Sequence, residues 1–414
     1  MDRRRVVITG LGCVTALGEL TDDVFGALCR AESGVSLIES FDTKDFSVIF
    51  GGEIKNFVIK KYISMREAKR MDRFTQLAMA SAIQAVSDSG IDFEAEDKHR
   101  VGVLVGTGIG GLKEIEEQHI RILEKGPSKI SAFTVPRLMG NAASGCISIQ
   151  YGLKGLNMCI VTACASASHS IGEAFYSIIS NRCDIMLTGG SEAALTPLGL
   201  ASFCALKSLS TRNDNPQIAS RPFDKDRDGF ILSEGSGVII LEEYEHARKR
   251  GARIYCEMLG YGATGDGYHI TAPDPDGKGA AEAMRLALTD AKLEPEKIDY
   301  INAHGTSTEL NDIAESLAIK SVFGDHAYKL AVSSTKGCLG HMLGASGAVE
   351  LIVMAKVIEK SILPPTANLD TVDKRCDPKM DYVPREARPA KVDFALSNSL
   401  GFGGHNCCLV VGKI

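Results

Sequence analysis

Among its twelve cysteines and nine histidines the chain has no CxxC pair and no close Cys/His set at zinc-ligand spacing. Neither a structural metal site nor a disulfide scaffold is therefore expected. It has no long basic run, and its formal net charge is -6, which disfavours nonspecific nucleic-acid binding. No apolar stretch reaches membrane-spanning length. The start, Met1 to Gly10, is charged and lacks the apolar segment of a signal peptide. These absences predict a cytoplasmic protein with free thiols, no metal, no nucleic acid and no membrane partner. An organelle stroma or matrix is the alternative if a targeting peptide had been removed.

What is present is a folding composition, with 44% hydrophobic and 24% charged residues over 414 positions. That length suffices for two or three domains, or for one large duplicated one. Short Val/Ile-rich runs alternate with longer helical patterns: Arg5 to Gly10, Val101 to Gly106, Met158 to Thr162, Asp184 to Thr188 and Val238 to Glu242. A second series follows at Ile254 to Gly260, Asp299 to Asn302, Leu330 to Ser333, Phe394 to Ser397 and Asn406 to Val411. The rhythm predicts an α/β fold of parallel βαβ units in two similar halves, 1–252 and 253–414.

Glycines cluster where strands end, at 106–111, at Gly189-Gly190 and at Gly401-Phe402-Gly403-Gly404. Such places let backbones approach closely. The first cluster has the wrong spacing for a dinucleotide fingerprint, and no acidic residue is clearly placed after a following strand, so no nucleotide cofactor is expected.

The segment from Asn157 to Ile179 reads as a buried strand, a turn of small residues and a helix with Ile171, Ala174, Phe175, Ile178 and Ile179 on one face. Cys164 falls at the start of that helix, where orphan N–H groups and the helix dipole favour a thiolate and can hold an oxyanion. A lowered thiol pKa is the expectation, and small neighbours leave room for a substrate. The other eleven cysteines read as structural. His304 and His341 each follow a predicted strand, at the sheet edge where functional residues gather, whereas His99, His119, His246 and His326 read as ordinary polar positions.

These segments together resemble the β-ketoacyl-acyl carrier protein synthases of the thiolase superfamily, particularly the elongating synthases I and II. The resemblance rests on TACASA around Cys164, the stretch from Leu209 to Phe230, NAHGTST from Asn302, STKGCLGH ending at His341, and SNSLGFGGHN from Ser397. It implies a five-layered αβαβα fold of two duplicated halves, a homodimer, and acyl carrier protein as partner. It also implies that Cys164 takes an acyl chain and that His304 and His341 act on a malonyl thioester, with no metal or organic cofactor. Cys164 and Phe402 would supply the oxyanion donors, and Phe402 would also gate the site.

By the same resemblance, Lys336 tunes the field and Glu315 anchors its network, although both residues also fit a structural ion pair. Thr271, Thr306 and Thr308 line the pantetheine channel, Ile109 borders the acyl pocket, and Lys69, Arg70 and Lys207 form the carrier-binding patch. Leu400 and His405 depart from the phenylalanine and threonine frequent there, which puts gating and chain-length preference in question. A thiolase would carry a second catalytic cysteine and an initiating synthase an asparagine where this chain has His341. Two alternatives remain: a ketosynthase of a polyketide or secondary lipid pathway, and a non-catalytic partner subunit like a chain-length factor.

Overall fold

A computed structural model describes residues 3–414. The Val/Ile-rich runs become ten strands: β1 (Val6–Val14), β2 (Val101–Gly106), β3 (Asn157–Met158), β4 (Ile185–Glu192), β5 (Gly235–Glu243), β6 (Cys256–Gly265), β7 (Tyr300–Asn302), β8 (Ala331–Ser333), β9 (Phe394–Gly401) and β10 (His405–Gly412). They pair in the order β8-β7-β9-β10-β6-β1-β5-β4-β2-β3.

Read outward from the centre, each set of five strands has the same order: first, fifth, fourth, second, third. In each, the first two pairings are antiparallel and the last two parallel. Expecting parallel units throughout was therefore too simple. In the second half the reason is local, because only three residues, Phe402 to Gly404, join β9 to β10, and so short a link closes a hairpin. The two sets meet only where Val6–Ile8 of β1 run antiparallel to Met258–Cys256 of β6.

Six helices complete the layers: α1 (Arg73–Ser89), α2 (Ala142–Tyr151), α3 (Ser166–Ile179), α4 (Lys278–Ala291), α5 (Glu309–Phe323) and α6 (Ser346–Lys360). Helix α1 packs on β1 and β5 and α2 on β2, covering one outer face. Helix α4 packs on β6 and β10, with α5 against α4, covering the other. Between the two five-stranded sets lie α3, against β4 and β2, and α6, against β5 and β9. The central pair shows its place in its sequence. Helix α6 is buried from Ser346 to Ile358 and is apolar around almost its whole circumference. Helix α3 buries Ile171, Ala174, Phe175 and Ile178 and exposes Glu173 and Tyr176. Gly172 is needed there, since a Cβ would stand 2.4 Å from the Tyr261 ring.

One predicted strand differs. β3 spans two residues at the sheet edge, and Met158 and Val161 are 45% and 59% exposed, so this run is not buried within the monomer.

Candidate active site

The turn that carries Cys164 is built by small residues. Ala163 sits at φ +50, in the left-handed region that a side chain resists, and a single tight turn, Ala163–Ala165, leads into α3. Ser166 braces the turn: its hydroxyl donates to the Ala163 carbonyl (2.7 Å) and accepts from the Thr162 N–H (2.9 Å). Cys164, 7% exposed, is presented from this elbow. Its sulfur is met by the backbone N–H groups of Phe402 and of Cys164 itself.

Here the expectation of a lowered thiol pKa is corrected. Burial pushes the thiol up to about 12, against the opposing pull of Lys336 and the two N–H groups. The thiol lies deep among protein atoms at the floor of its cavity, and loss of solvation outweighs the favourable field.

His304 leaves the end of β7 and His341 ends the loop after β8, and both are 2% exposed. Their rings meet edge to face, centroids 5.3 Å apart, and one polar atom from each of Cys164, His304 and His341 lies within 4.8 Å of the others. The Ser346 hydroxyl lies 3.0 Å from His341 Nδ1. With Ser346 as donor, the neutral ring carries its proton on Nε2, facing the site. His304 Nδ1 is sealed without a partner, leaving Nε2 as the nitrogen available to the cavity. Burial, then the charge of Lys336, hold both rings well below their ordinary pKa, so each is neutral.

Glu315 holds the His304 loop in place. It accepts the His304 N–H (2.8 Å), the Gly305 N–H (2.8 Å) and the Asn398 amide (3.1 Å), and burial pushes its carboxyl up to about 7. It is not the partner of Lys336, as the ion-pair alternative had it. Lys336 instead pairs with Glu350 of α6, both almost wholly buried. The sequence contains a signal for this, because a carboxylate inside a buried apolar helix requires a cation.

A cavity of about 500 Å³ reaches the triad. It is lined by Cys164, His304, His341 and Phe402, by Thr271, Thr306, Thr308 and Ile109, and at an exposed position by Lys207. Thr306 and Thr308 join their hydroxyls at 2.9 Å, and Thr271 is half-buried. Ile109 is 40% exposed, so it belongs to the cavity wall rather than the core. Leu400 lines the cavity, whereas His405 is exposed with its ring 6.4 Å from that of His169. Lys69 and Arg70 are exposed but do not line the cavity, and Arg70 stacks over Phe133 at 5.3 Å. The sequence reading missed Ser346 and Glu350, and also Phe230, whose ring lies edge-on to His341 at 5.4 Å.

A thiol presented from a strained elbow, two backbone N–H groups at its sulfur and two neutral imidazoles, set in a duplicated thiolase-like fold, are the parts of an acyl-transferring condensing enzyme. The family models for the β-ketoacyl synthase N-terminal and C-terminal domains match residues 3–247 and 255–370, and the chain belongs to the β-ketoacyl synthase family. It is 49% identical over 413 residues to 3-oxoacyl-acyl-carrier-protein synthase 2 of Synechocystis sp., covering 100% of this chain and 99% of that one. The namesake of Coxiella burnetii is 49% identical over 414 residues, with 100% of both chains covered. Among solved structures, a β-ketoacyl synthase from Burkholderia phymatum is 36% identical, with a TM-score of 0.92 over 99% of this chain and 100% of that one. A type II polyketide ketosynthase in complex with its acyl carrier protein gives 36% and 0.92, with full coverage of both.

Proposed function

We propose that this chain elongates carrier-bound acyl groups by two carbons through decarboxylative condensation, with Cys164 as acyl carrier and His304 and His341 as enolate-stabilising groups. The observation that carries this is the convergence of one sulfur and two neutral imidazoles at the cavity floor. In the first half-reaction the sulfur attacks an acyl thioester on a phosphopantetheine arm. A new carbon–sulfur bond forms at Cys164, the arm's bond breaks, and the proton passes from one thiol to the other. The Cys164 and Phe402 N–H groups hold the tetrahedral oxyanion.

A malonyl thioester then occupies the arm's place. Its carboxylate leaves as carbon dioxide, and the released electron pair forms an enolate whose oxygen takes hydrogen bonds from the two Nε2–H groups. The enolate carbon attacks the acyl-Cys164 carbonyl, forming the new carbon–carbon bond, and the cysteine sulfur departs as thiolate and takes a proton from solvent through the cavity. Neutral rings suit this step because they donate hydrogen bonds without requiring a counter-ion in a dry site, while Lys336 adds positive potential.

Hydroxyls of Thr271, Thr306 and Thr308 bond the amides of the arm, Ile109 bounds the acyl chain, and Phe402 on its glycine-rich turn separates the two half-reactions. An acidic carrier docks by way of Lys207 at the mouth, with Lys69 and Arg70 extending the basic patch. The solved ketosynthase bound to its carrier protein supports such a partner. The exposed edge of β3, with Met158, Val161 and Ile149 of α2, supports a homodimer formed along that edge. Twelve free cysteines support a reducing cytoplasm. No metal is required, and the charge of Lys336 opposes a second cation beside the triad.

The polyketide reading is second, because the relatives sharing 49% identity carry the fatty-acid-type synthase name. Acyl carriers of graded length with malonyl carrier should give 3-oxoacyl products two carbons longer. His304→Ala should still take up the acyl group while releasing carbon dioxide about 100-fold more slowly. Carbon dioxide release at the normal rate would remove the role given to that ring.

A further inference from the structure

Glu192 ends β4 with 0% exposure, has no part in the steps above, and lies close enough to Cys164 for its charge to oppose ionisation of the thiol. Its carboxylate gathers four donors from two separate loops. Oε1 accepts the Thr107 hydroxyl (3.0 Å) and the Ile109 N–H (3.2 Å), and Oε2 accepts the N–H groups of Gly108 (2.6 Å) and Gly344 (3.1 Å). The first loop carries Ile109 on the cavity wall. The second is the continuation of the His341 loop, with Leu343 on the same cavity.

The two loops are pressed together at this carboxylate. A Cβ on Gly344 would stand 2.3 Å from the Gly108 nitrogen and 2.8 Å from Oε2, and one on Gly108 would stand 2.7 Å from Oε2 and 3.4 Å from the Ala163 carbonyl oxygen. The residue before Cys164 thus lies beside the clamp, with room for little more than a methyl group between them. On its two sides stand two non-glycine residues in left-handed conformations, Ala163 at φ +50 and Leu343 at φ +46. Such conformations persist only where their surroundings hold them.

We propose that Glu192 is a positioning residue for the condensation. Its carboxylate fixes the acyl-cavity wall at Ile109 and the His341–Leu343 loop to each other and to the Cys164 turn, so that it sets both chain-length selectivity and the placing of the histidine. This deepens the condensing reaction proposed above and rests on it. The ionised form accepts all four donors at once, whereas a protonated carboxyl gives up one acceptor position and leaves a buried N–H unpaired. Burial pushes this carboxyl up to about 7 and the four donors pull it back, so the clamp loosens as pH falls through neutrality. The titratable groups that feel its charge are Cys164 and Cys159.

The test compares full-length wild type with Glu192→Gln, Glu192→Asp and Thr107→Val. Cys164 acylation by a long and a short acyl carrier is measured across pH, together with kcat and KM for condensation. Glu192→Gln should change the long-to-short ratio of kcat/KM by about tenfold or more, with kcat falling as well as KM shifting. Wild type should show an acid limb centred near 7 in its pH profile, and this variant should lose it. Glu192→Asp should recover part of the limb. Thr107→Val removes one donor, leaves the carboxylate in place, and should move the ratio in the same direction by a smaller factor, so it decides the matter if the Gln variant does not fold. Acylation with an unchanged ratio and an unchanged acid limb in Glu192→Gln, or in Thr107→Val if that variant alone folds, overturns the clamp and leaves the condensation intact. Wild type that never acylates overturns the condensation itself.

Discussion

A sulfur buried as deeply as that of Cys164 resists becoming an anion, whereas the acyl thioester proposed for it carries no charge to solvate. Burial thus opposes the free thiolate without opposing the acylated enzyme. Lys336 supplies the compensating field, and it is itself kept in place by Glu350. Removing one member of such a pair strands a charge in the interior, so Lys336→Ala should destabilise the fold by about 3–5 kcal/mol. The double change Lys336→Met with Glu350→Leu should recover most of that in denaturant titration. Because the charge of Lys336 lowers both imidazoles, the double variant should also move the acid limb of malonyl decarboxylation to higher pH. Recovered stability with an unmoved limb would show that Lys336 does not act on the rings.

At the scale of elements, the short helix Tyr244–Lys249 is fastened to β5 by His246. Its Nδ1 meets Glu242 at 2.6 Å and its Nε2 meets Glu96 at 2.9 Å, while Arg250 grips Glu242 through two bonds of 2.7 Å. The Glu242 bond first, then Glu96, raise the imidazole from 6.5 to about 9, against burial. A folded-state pKa above the unfolded value gives stability that is whole below about 6.5 and is lost as pH climbs through about 9. The melting temperature should accordingly fall between neutral and alkaline pH by more in wild type than in His246→Gln. Equal falls would deny this histidine the role. The sequence reading took His246 for an ordinary polar residue, since neither carboxylate partner is legible without the β5–helix geometry.

The elements show which physical signals reach the sequence. Apolar runs marked the strands because their interiors are buried on both faces, and the ends were misjudged where Gly10 and Gly12 interrupt the run of β1 and where Gly189, Gly190 and Ser191 continue the pairing of β4. The β3 run failed as a buried strand because its apolar residues lie at a sheet edge of the single chain.

On the scale of the whole molecule, the duplication accounts for the site. The same strand order in both halves brings an elbow from one half to face two strand-end loops from the other, where the two central helices begin. Cys164, His304 and His341 were legible because each sits in a strand-to-loop context that favours chemistry on its own. Glu192 and Glu350 were not singled out, because a buried carboxylate makes sense only once its donors, distant in sequence, are in place. The lowered pKa expected of Cys164 failed for a similar reason: the helix start is local and legible, whereas the depth of burial belongs to the whole fold.

The central claim is tested most directly by intact and peptide mass spectrometry of the enzyme after mixing with an acyl carrier and then a malonyl carrier. One acyl group should appear on the peptide containing Cys164, be absent in Cys164→Ala, and leave as 3-oxoacyl carrier on adding malonyl carrier to wild type. Acyl label on another residue, or label on Cys164 that malonyl carrier cannot discharge, would contradict the account.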